Sequence, residues 1–259
     1  MQKKRFYYLI ALQYLGFRFH GWQEQPNVLT VEKMLKRTLK YVFEEKWFKV
    51  IAAGRTDAKV SANQTFVELF VEEELEMLGF LDLLNENLPQ DIRALEISET
   101  DRNFNIIQHP KEKEYVYLFT FGEKPHPFSA PFMAHIFENL DIELMQHGAK
   151  LFEGKHDFRS YCFRPTENTQ TEGEIECCEI VENTLFTANF FPSKSYLLRV
   201  RGKGFKRHQI RLMMGALIDL GKGKIDLAFL KKTLRPENEI VLEHIAKASG
   251  LILNYVQLD

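Results

Sequence analysis

Residues 6–13, FYYLIALQ, form a dense run of aromatic and aliphatic side chains and predict a buried strand. A loop containing Gly16 and Gly21 follows, from Tyr14 to Pro26. Thr30 is placed to cap a helix, and behind it Val31, Met34, Leu35, Leu39, Val42 and Phe43 recur at helical spacing. Residues 47–53 predict a second strand, 54–61 a polar loop, and 65–71 a third strand that carries Glu68 among apolar neighbours. Met77, Phe80, Leu81, Leu84 and Leu88 mark a second helix ended by Pro89, and residues 92–97 give a fourth strand.

The order strand–helix–strand–strand–helix–strand is that of a ferredoxin-like, RRM-like unit, an antiparallel sheet with two helices on one face. Its other face is expected to be free to meet another sheet or RNA. Residues 101–112 are polar and read as a connector, so the expected division is 1–100, the connector, and a C-terminal half over 113–259. In that half strands are predicted at 114–121, 175–181, 185–190, 196–201 and 250–255, with helices at 141–152, 205–220 and 226–233. The expected fold is α+β: two ferredoxin-like halves join their antiparallel sheets into one platform, with helices on one face and a central active-site cleft.

Composition narrows the classes. Hydrophobic residues make up 45% of the 259 and charged ones 27%, which excludes a disordered tail and supplies a sizeable core. Three cysteines, two of them the adjacent Cys177 and Cys178, make no disulfide framework and fit a reducing cytoplasm. They also lack Cys-x-x-Cys spacing, so no metal site is expected. No apolar run approaches the length of about 20 residues that spans a bilayer, so no membrane role is expected. The net charge of -2 argues against a nonspecific nucleic-acid binder. Yet residues 199–211, RVRGKGFKRHQIR, hold Arg199, Arg201, Lys203, Lys206, Arg207 and Arg211 with no acid among them. Such segregation suits a polyanion partner; the alternative is a solvated helix face.

The candidate chemistry centres on Gly54-Arg55-Thr56-Asp57-Ala58, where a strand is expected to end and a loop to present Arg55 and Asp57. A carboxylate at a strand exit can attack a sugar or base carbon, provided a nearby cation keeps it ionised. The alternative is a loop in which Thr56 and Asp57 cap backbone amides. Arg211 lies on an otherwise apolar predicted helix, where a buried guanidinium needs a partner, and Asp57 is the partner expected. Tyr115 and Tyr117 stand two apart on a predicted strand, and one is expected to face the site and the other the core. His156 and Asp157 look like a catalytic pair but are expected to be structural, and Trp22 is open to packing or to stacking on RNA.

These motifs resemble the TruA family of tRNA pseudouridine synthases over most of the chain. Tyr14, Gly16, Gly21-Trp22-Gln23 and Gln25 match its first block, and Gly54 to Ala58 its nucleophile motif. Lys113, Tyr115 and Tyr117 match its Lys-x-Tyr-x-Tyr strand, and Gly154, His156, Asp157 and Phe158 its Gly-x-His-Asp-Phe motif. Phe205, Ile210, Arg211 and Gly215 match its basic helix, and Gly250, Leu251 and Leu253 its closing block.

The resemblance implies isomerisation of uridine to pseudouridine in tRNA, in the anticodon stem-loop around positions 38 to 40, without metal or cofactor. Asp57 would be the nucleophile, Arg211 its ion-pair partner, Tyr115 the ring that stacks on the flipped uracil, and Arg55 the side chain that helps extrude the nucleotide. Asp57 would come from the first half, and Tyr115 and Arg211 from the second. Lys59 and the basic stretch Arg199, Arg201, Lys203, Lys206 and Arg207 would contact phosphates. The resemblance further implies a homodimer. Departures are Lys59 and Ser61, where the family has Gly and His, Ile107 in place of an arginine, and 246–249 without the usual proline. Lys59 is expected to exclude a backbone conformation that needs glycine. Three alternatives stand: the same chemistry at another tRNA or ribosomal position, a noncatalytic RNA-binding protein on this scaffold, and a small-molecule nucleosidase.

Overall fold

A computed structural model describes residues 4–236 and 238–258. The chain forms two compact units, residues 1–111 together with 253–259, and residues 112–252.

In the first unit the elements are β1 (Phe6–Tyr14), α1 (Val31–Val42), β2 (Phe48–Ala52), β3 (Ser61–Val71), α2 (Met77–Asn87) and β4 (Ile92–Thr100). Their order is the one the hydrophobic pattern predicts. β1 runs antiparallel between β3 and β4, with Phe6 opposite Val71 and Tyr7 opposite Thr100, and β2 pairs antiparallel with the end of β3. Thr30 caps α1 by accepting the Lys33 N–H, while Glu76 accepts the Gly79 N–H to start α2. Side chains alternate along β3, so Val67, Leu69 and Val71 share one buried face and Phe66, Glu68 and Phe70 the other.

That second face is not wholly free, contrary to expectation. The connector is ordered across it: Ile106 is fully buried, and its N–H reaches the buried carboxylate of Glu68. Phe104 stacks on His109 in the same segment. A buried acid on a sheet face needs a donor, and the connector backbone supplies one.

The second unit holds β5 (Pro110–Phe121), β6 (Ala134–Ile136), α3 (Ile142–Lys150), β7 (Gly154–Asp157), β8 (Glu172–Ile175), β9 (Cys177–Glu182), β10 (Tyr196–Gly202), α4 (Gln209–Gly221) and α5 (Leu227–Lys232). β10 lies antiparallel between β5 and β9. β6 adds to β5 in parallel, so the strand arrangement is mixed rather than purely antiparallel. β7 and β8 form a separate antiparallel pair. The last strand, β11 (Leu251–Leu258), starts in this unit, but from Leu253 on it belongs to the first unit beside β3, not to the C-terminal half expected for it.

Two predicted elements differ. Residues 185–190 form no strand. The Asn183 carboxamide takes the N–H groups of Leu185 and Phe186 and donates to the Phe186 carbonyl, which uses up the backbone groups a ladder would need. The aromatic side chains that suggested a strand pack elsewhere: Phe186 and Phe191 against Val116, Leu118 and Leu197, and Phe190 among His126, Phe128 and Phe132. The helix predicted from residue 205 begins at Gln209, because His208 is left-handed at φ 60 and the Gln209 side chain accepts the Lys206 N–H.

Candidate active site

The loop between β2 and β3 is clamped to the loop after β1. The Tyr14 hydroxyl lies 2.8 Å from the Thr56 hydroxyl, and the Trp22 N–H donates to the Thr56 carbonyl at 3.1 Å. Gly21, at φ +92, runs so close that a Cβ there would lie 2.8 Å from the same carbonyl. Gly16 is closer still: a Cβ would stand 2.0 Å from the Val60 carbonyl, and the Gly16 N–H donates to Ser61 Oγ at 2.9 Å. Ser61, where the family pattern has histidine, therefore satisfies a buried amide. Trp22 is buried beside Tyr14, which settles it as a packed side chain.

Asp57 sits half-buried on this clamped loop, and its carbonyl accepts the Val60 N–H at 3.2 Å. Arg55 is exposed and donates to Gln23 Oε1 at 2.7 Å. Lys59 contradicts its expectation. It adopts the left-handed conformation, φ 66, that the glycine it replaces would favour, with its N–H on the Phe19 carbonyl at 2.9 Å and its ammonium over the Phe17 ring. The clamp on either side over-determines this backbone, so lysine bears the strain instead of reshaping the loop.

In the second unit Tyr115 and Tyr117 lie on the same face of β5, as residues two apart on a strand must. Depth, not face, separates them. Tyr115 is half-buried and meets Phe205 edge-on at 5.3 Å. Tyr117 is fully buried and its hydroxyl donates to the Lys247 carbonyl at 2.7 Å. Burial pushes the Tyr117 phenol well up, and the Arg211 charge opposes that shift. Arg211 is half-buried in the first turn of α4, donates through Nε to the Ala246 carbonyl at 2.8 Å, and accepts the Ala246 N–H on its own carbonyl at 3.1 Å. The 246–247 backbone thus holds both Tyr117 and Arg211. Sequence reasoning saw this segment only as a departure, because a carbonyl oxygen has no residue-type signature.

The basic stretch divides. Arg199 stands opposite Glu179 on β9 and reaches it at 3.3 Å, and reaches the buried Glu114 at 3.6 Å. Arg201, opposite Glu114 on β5, lies 4.0 Å from it. Lys203 and Arg207 are exposed in the turn before α4, and Lys206 is half-buried. The Arg164 and Arg207 guanidinium groups each lie 5.1 Å from the Phe163 ring centre, with the His208 ring at 4.5 Å. His156 bonds the Glu153 carbonyl and Asp157 accepts the Arg159 N–H, both local contacts. Among the described residues no cluster of three His, Cys, Asp or Glu side chains could hold a metal ion, and Cys162, Cys177 and Cys178 are free and buried.

The chain is 32% identical over 247 residues to tRNA pseudouridine synthase A of Dictyoglomus thermophilum, covering 94% of this chain and 96% of that one. The chain belongs to the TruA family of tRNA pseudouridine synthases. The homologue of that name in Thermosipho melanesiensis is also 32% identical, over 253 residues and 96% and 98% of the two chains. A Bacillus cereus relative named tRNA pseudouridine synthase A 2 is 28% identical with the same coverage. A family model described as tRNA pseudouridine synthase matches residues 149–259, the part of this TruA-family chain that carries Arg211 and the segment that holds it. Among the described residues no helix is long and apolar enough to cross a membrane.

Proposed function

We propose that this chain isomerises uridine to pseudouridine in tRNA, at the anticodon stem-loop around positions 38 to 40. Asp57 is the nucleophile, on a loop whose backbone is fixed on both sides; that fixed, half-buried carboxylate is the observation that carries the reading. The Asp57 carboxylate bonds to C1′ as the N1–C1′ bond breaks, the detached uracil turns while held, and C5 bonds to C1′ as the carboxylate leaves. The C5 proton is then lost and N1 gains one, so the isomerisation balances without an oxidant or reductant. The target base is stacked in RNA and must first be flipped out, at a cost of a few kcal/mol. Arg55, exposed beside the nucleophile, fills the vacated space. Tyr115 stacks on the flipped uracil and assists removal of the C5 proton. Arg211 keeps Asp57 ionised. Lys59, Lys203, Lys206 and Arg207 take phosphates, while Arg199 and Arg201, engaged by Glu114 and Glu179, make the weaker part of that surface. The working form is a cytoplasmic homodimer, checked by light scattering with and without tRNA.

Tritium release from tRNA labelled with [5-³H]uridine tests the reaction, with wild type beside Asp57→Asn. Release by wild type alone supports the reaction and the role of Asp57, and mapping the modified position then decides the anticodon-stem assignment. Release undiminished in Asp57→Asn refutes the nucleophile. No release from tRNA refutes the substrate, and the same assay on ribosomal RNA then separates altered specificity from a noncatalytic protein.

A further inference from the structure

Strand register lays out, row by row, the sheet face of the first unit that carries Glu68. In one row Ser98, Leu9, Glu68 and Ile51 stand side by side on β4, β1, β3 and β2, and the connector reaches this row at Glu68 through the Ile106 N–H. The next row on that face, toward the end of β3, is Thr100, Tyr7, Phe70 and Lys49. Tyr7 and Phe70 are half-buried and Lys49 is exposed. The two rings meet edge-on, 5.4 Å apart at 72°, and the Lys49 ammonium lies 5.5 Å from the Phe70 ring centre. Two positions out from Tyr7 and Lys49, Arg5 and Trp47 meet in turn. The guanidinium lies 4.7 Å from the indole ring centre, and Trp47 is 40% exposed.

Apolar side chains exposed singly need no account. Here three rings and two cations gather at one end of a sheet, and the touching pair of rings stands on its two inner strands. Among the described residues neither Arg5 nor Lys49 is held in an ion pair. The acids beside them are Glu68, which accepts the Ile106 N–H, and Glu72, the first residue past β3. Rings with adjacent unpaired cations are the chemistry that holds a single-stranded nucleic acid, since every base offers a face to stack and every linkage a phosphate. A duplex hides its base faces and could use only the cations.

We propose that Tyr7, Phe70, Trp47, Lys49 and Arg5 form a second RNA contact that takes an unpaired stretch of the substrate tRNA. Bases stack on the rings, and the ammonium and guanidinium take the flanking phosphates. The contact of an exposed ammonium with a ring is weaker than a stacked base, so Lys49 yields the Phe70 ring to the RNA. The nucleophile loop enters β3 at Ser61, roughly 30 Å along the strand from Phe70. The second contact therefore grips the RNA away from the reacting uridine and acts on affinity, not on the chemical step. The inference rests on the proposed tRNA substrate.

The test uses the full chain with a short oligoadenylate, which holds no uridine to react, and with whole tRNA. Trp47 gives a local signal, because the other tryptophan, Trp22, is buried. Oligoadenylate should quench its fluorescence, and the same strand paired with oligouridylate should not. Tyr7→Leu and Phe70→Leu keep an apolar side chain and remove the ring. Each should weaken the binding of oligoadenylate and of tRNA at least fivefold, the lower bound for one stacked base. Lys49→Gln should reduce the salt slope for oligoadenylate by about 0.7. In all three variants kcat at saturating tRNA should stay within twofold of wild type. Absence of quenching in wild type overturns the proposal, as does equal quenching by the duplex or unchanged affinity in both leucine variants. Weakened oligoadenylate binding at unchanged tRNA affinity overturns it too, and so does a loss of kcat at unchanged tRNA affinity. A dimer in light scattering that Phe70→Leu dissociates would make the row a face between copies and refute the RNA contact. A wild-type chain inactive on tRNA would refute the proposed function, and the two affinities would still decide the contact. If a leucine variant does not fold, Trp47→Ala and Lys49→Gln, both at exposed positions, carry the comparison by polarisation of labelled oligoadenylate.

Discussion

Lys59 offers a quantitative test of how firmly the Asp57 loop is held. At φ 66 it occupies a backbone well that costs an L-residue about 1–2 kcal/mol. Replacing it with glycine removes that cost. Against this, glycine widens the unfolded ensemble by about 0.4–1 kcal/mol, and the exposed contact of the Lys59 ammonium with Phe17 forfeits about 0.5 kcal/mol. Lys59→Gly should therefore lie between about 0.5 kcal/mol less and about 1 kcal/mol more stable than wild type. Valine keeps the strain, adds a β-branched side chain to it, and loses the same ring contact, so Lys59→Val should be at least about 1 kcal/mol less stable. For a chain of this size that gap of about 0.5–2 kcal/mol corresponds to a difference of about 1–8 °C in Tm. Thermal unfolding followed by circular dichroism measures the gap. Equal Tm values for the glycine and valine variants would refute the reasoning, since they would mean that the loop relaxes around residue 59. In tRNA binding, Lys59→Gly should reduce the salt dependence by roughly one unit of slope if the side chain meets a phosphate.

Tyr117→Phe removes the donor to the Lys247 carbonyl and should cost about 1–3 kcal/mol in urea unfolding. Burial lifts the phenols of both Tyr117 and Tyr161 above their ordinary value, so the folded chain keeps protons that the unfolded chain begins to lose near pH 10. The stability these groups confer is whole below about pH 10 and falls as pH rises beyond it, and the decline should be shallower in Tyr117→Phe; equal declines would count against it. Glu68→Gln keeps an acceptor for the Ile106 N–H and removes a carboxyl that burial holds above its usual value. The folded wild type binds more protons there, so its stability falls as pH rises through that elevated value while the glutamine variant is unaffected. The gain in Tm should be clear at pH 7.5 and small at pH 4, and a gain equal at both would exclude the mechanism.

Much of the first unit is legible from local pattern. The period-two and helical repeats in residues 6–97 mark its six elements, and Thr30 marks a cap, because each signal depends on neighbours a few positions away. The same logic fails at residues 185–190. Their aromatic content meets strand propensity, but Asn183 captures their backbone and distant rings capture their side chains. It fails again at residues 205–208, where His208 turns left-handed and the Gln209 side chain, not a hydroxyl cap, closes the turn.

The element order of residues 6–97 and the motif residues with their family pattern are set by local sequence. Tertiary structure alone decided that Arg199 and Arg201 face acids across the ladder, that Ile106 covers Glu68, that Lys59 keeps a glycine backbone, and that Arg211 rests on the Ala246 carbonyl. The physical reason is the same in each case. Local periodicity is set by side chains adjacent in the chain. Cross-strand register, burial of an acid and choice of one carbonyl among many are set by residues far apart in sequence, and a backbone oxygen is common to every residue.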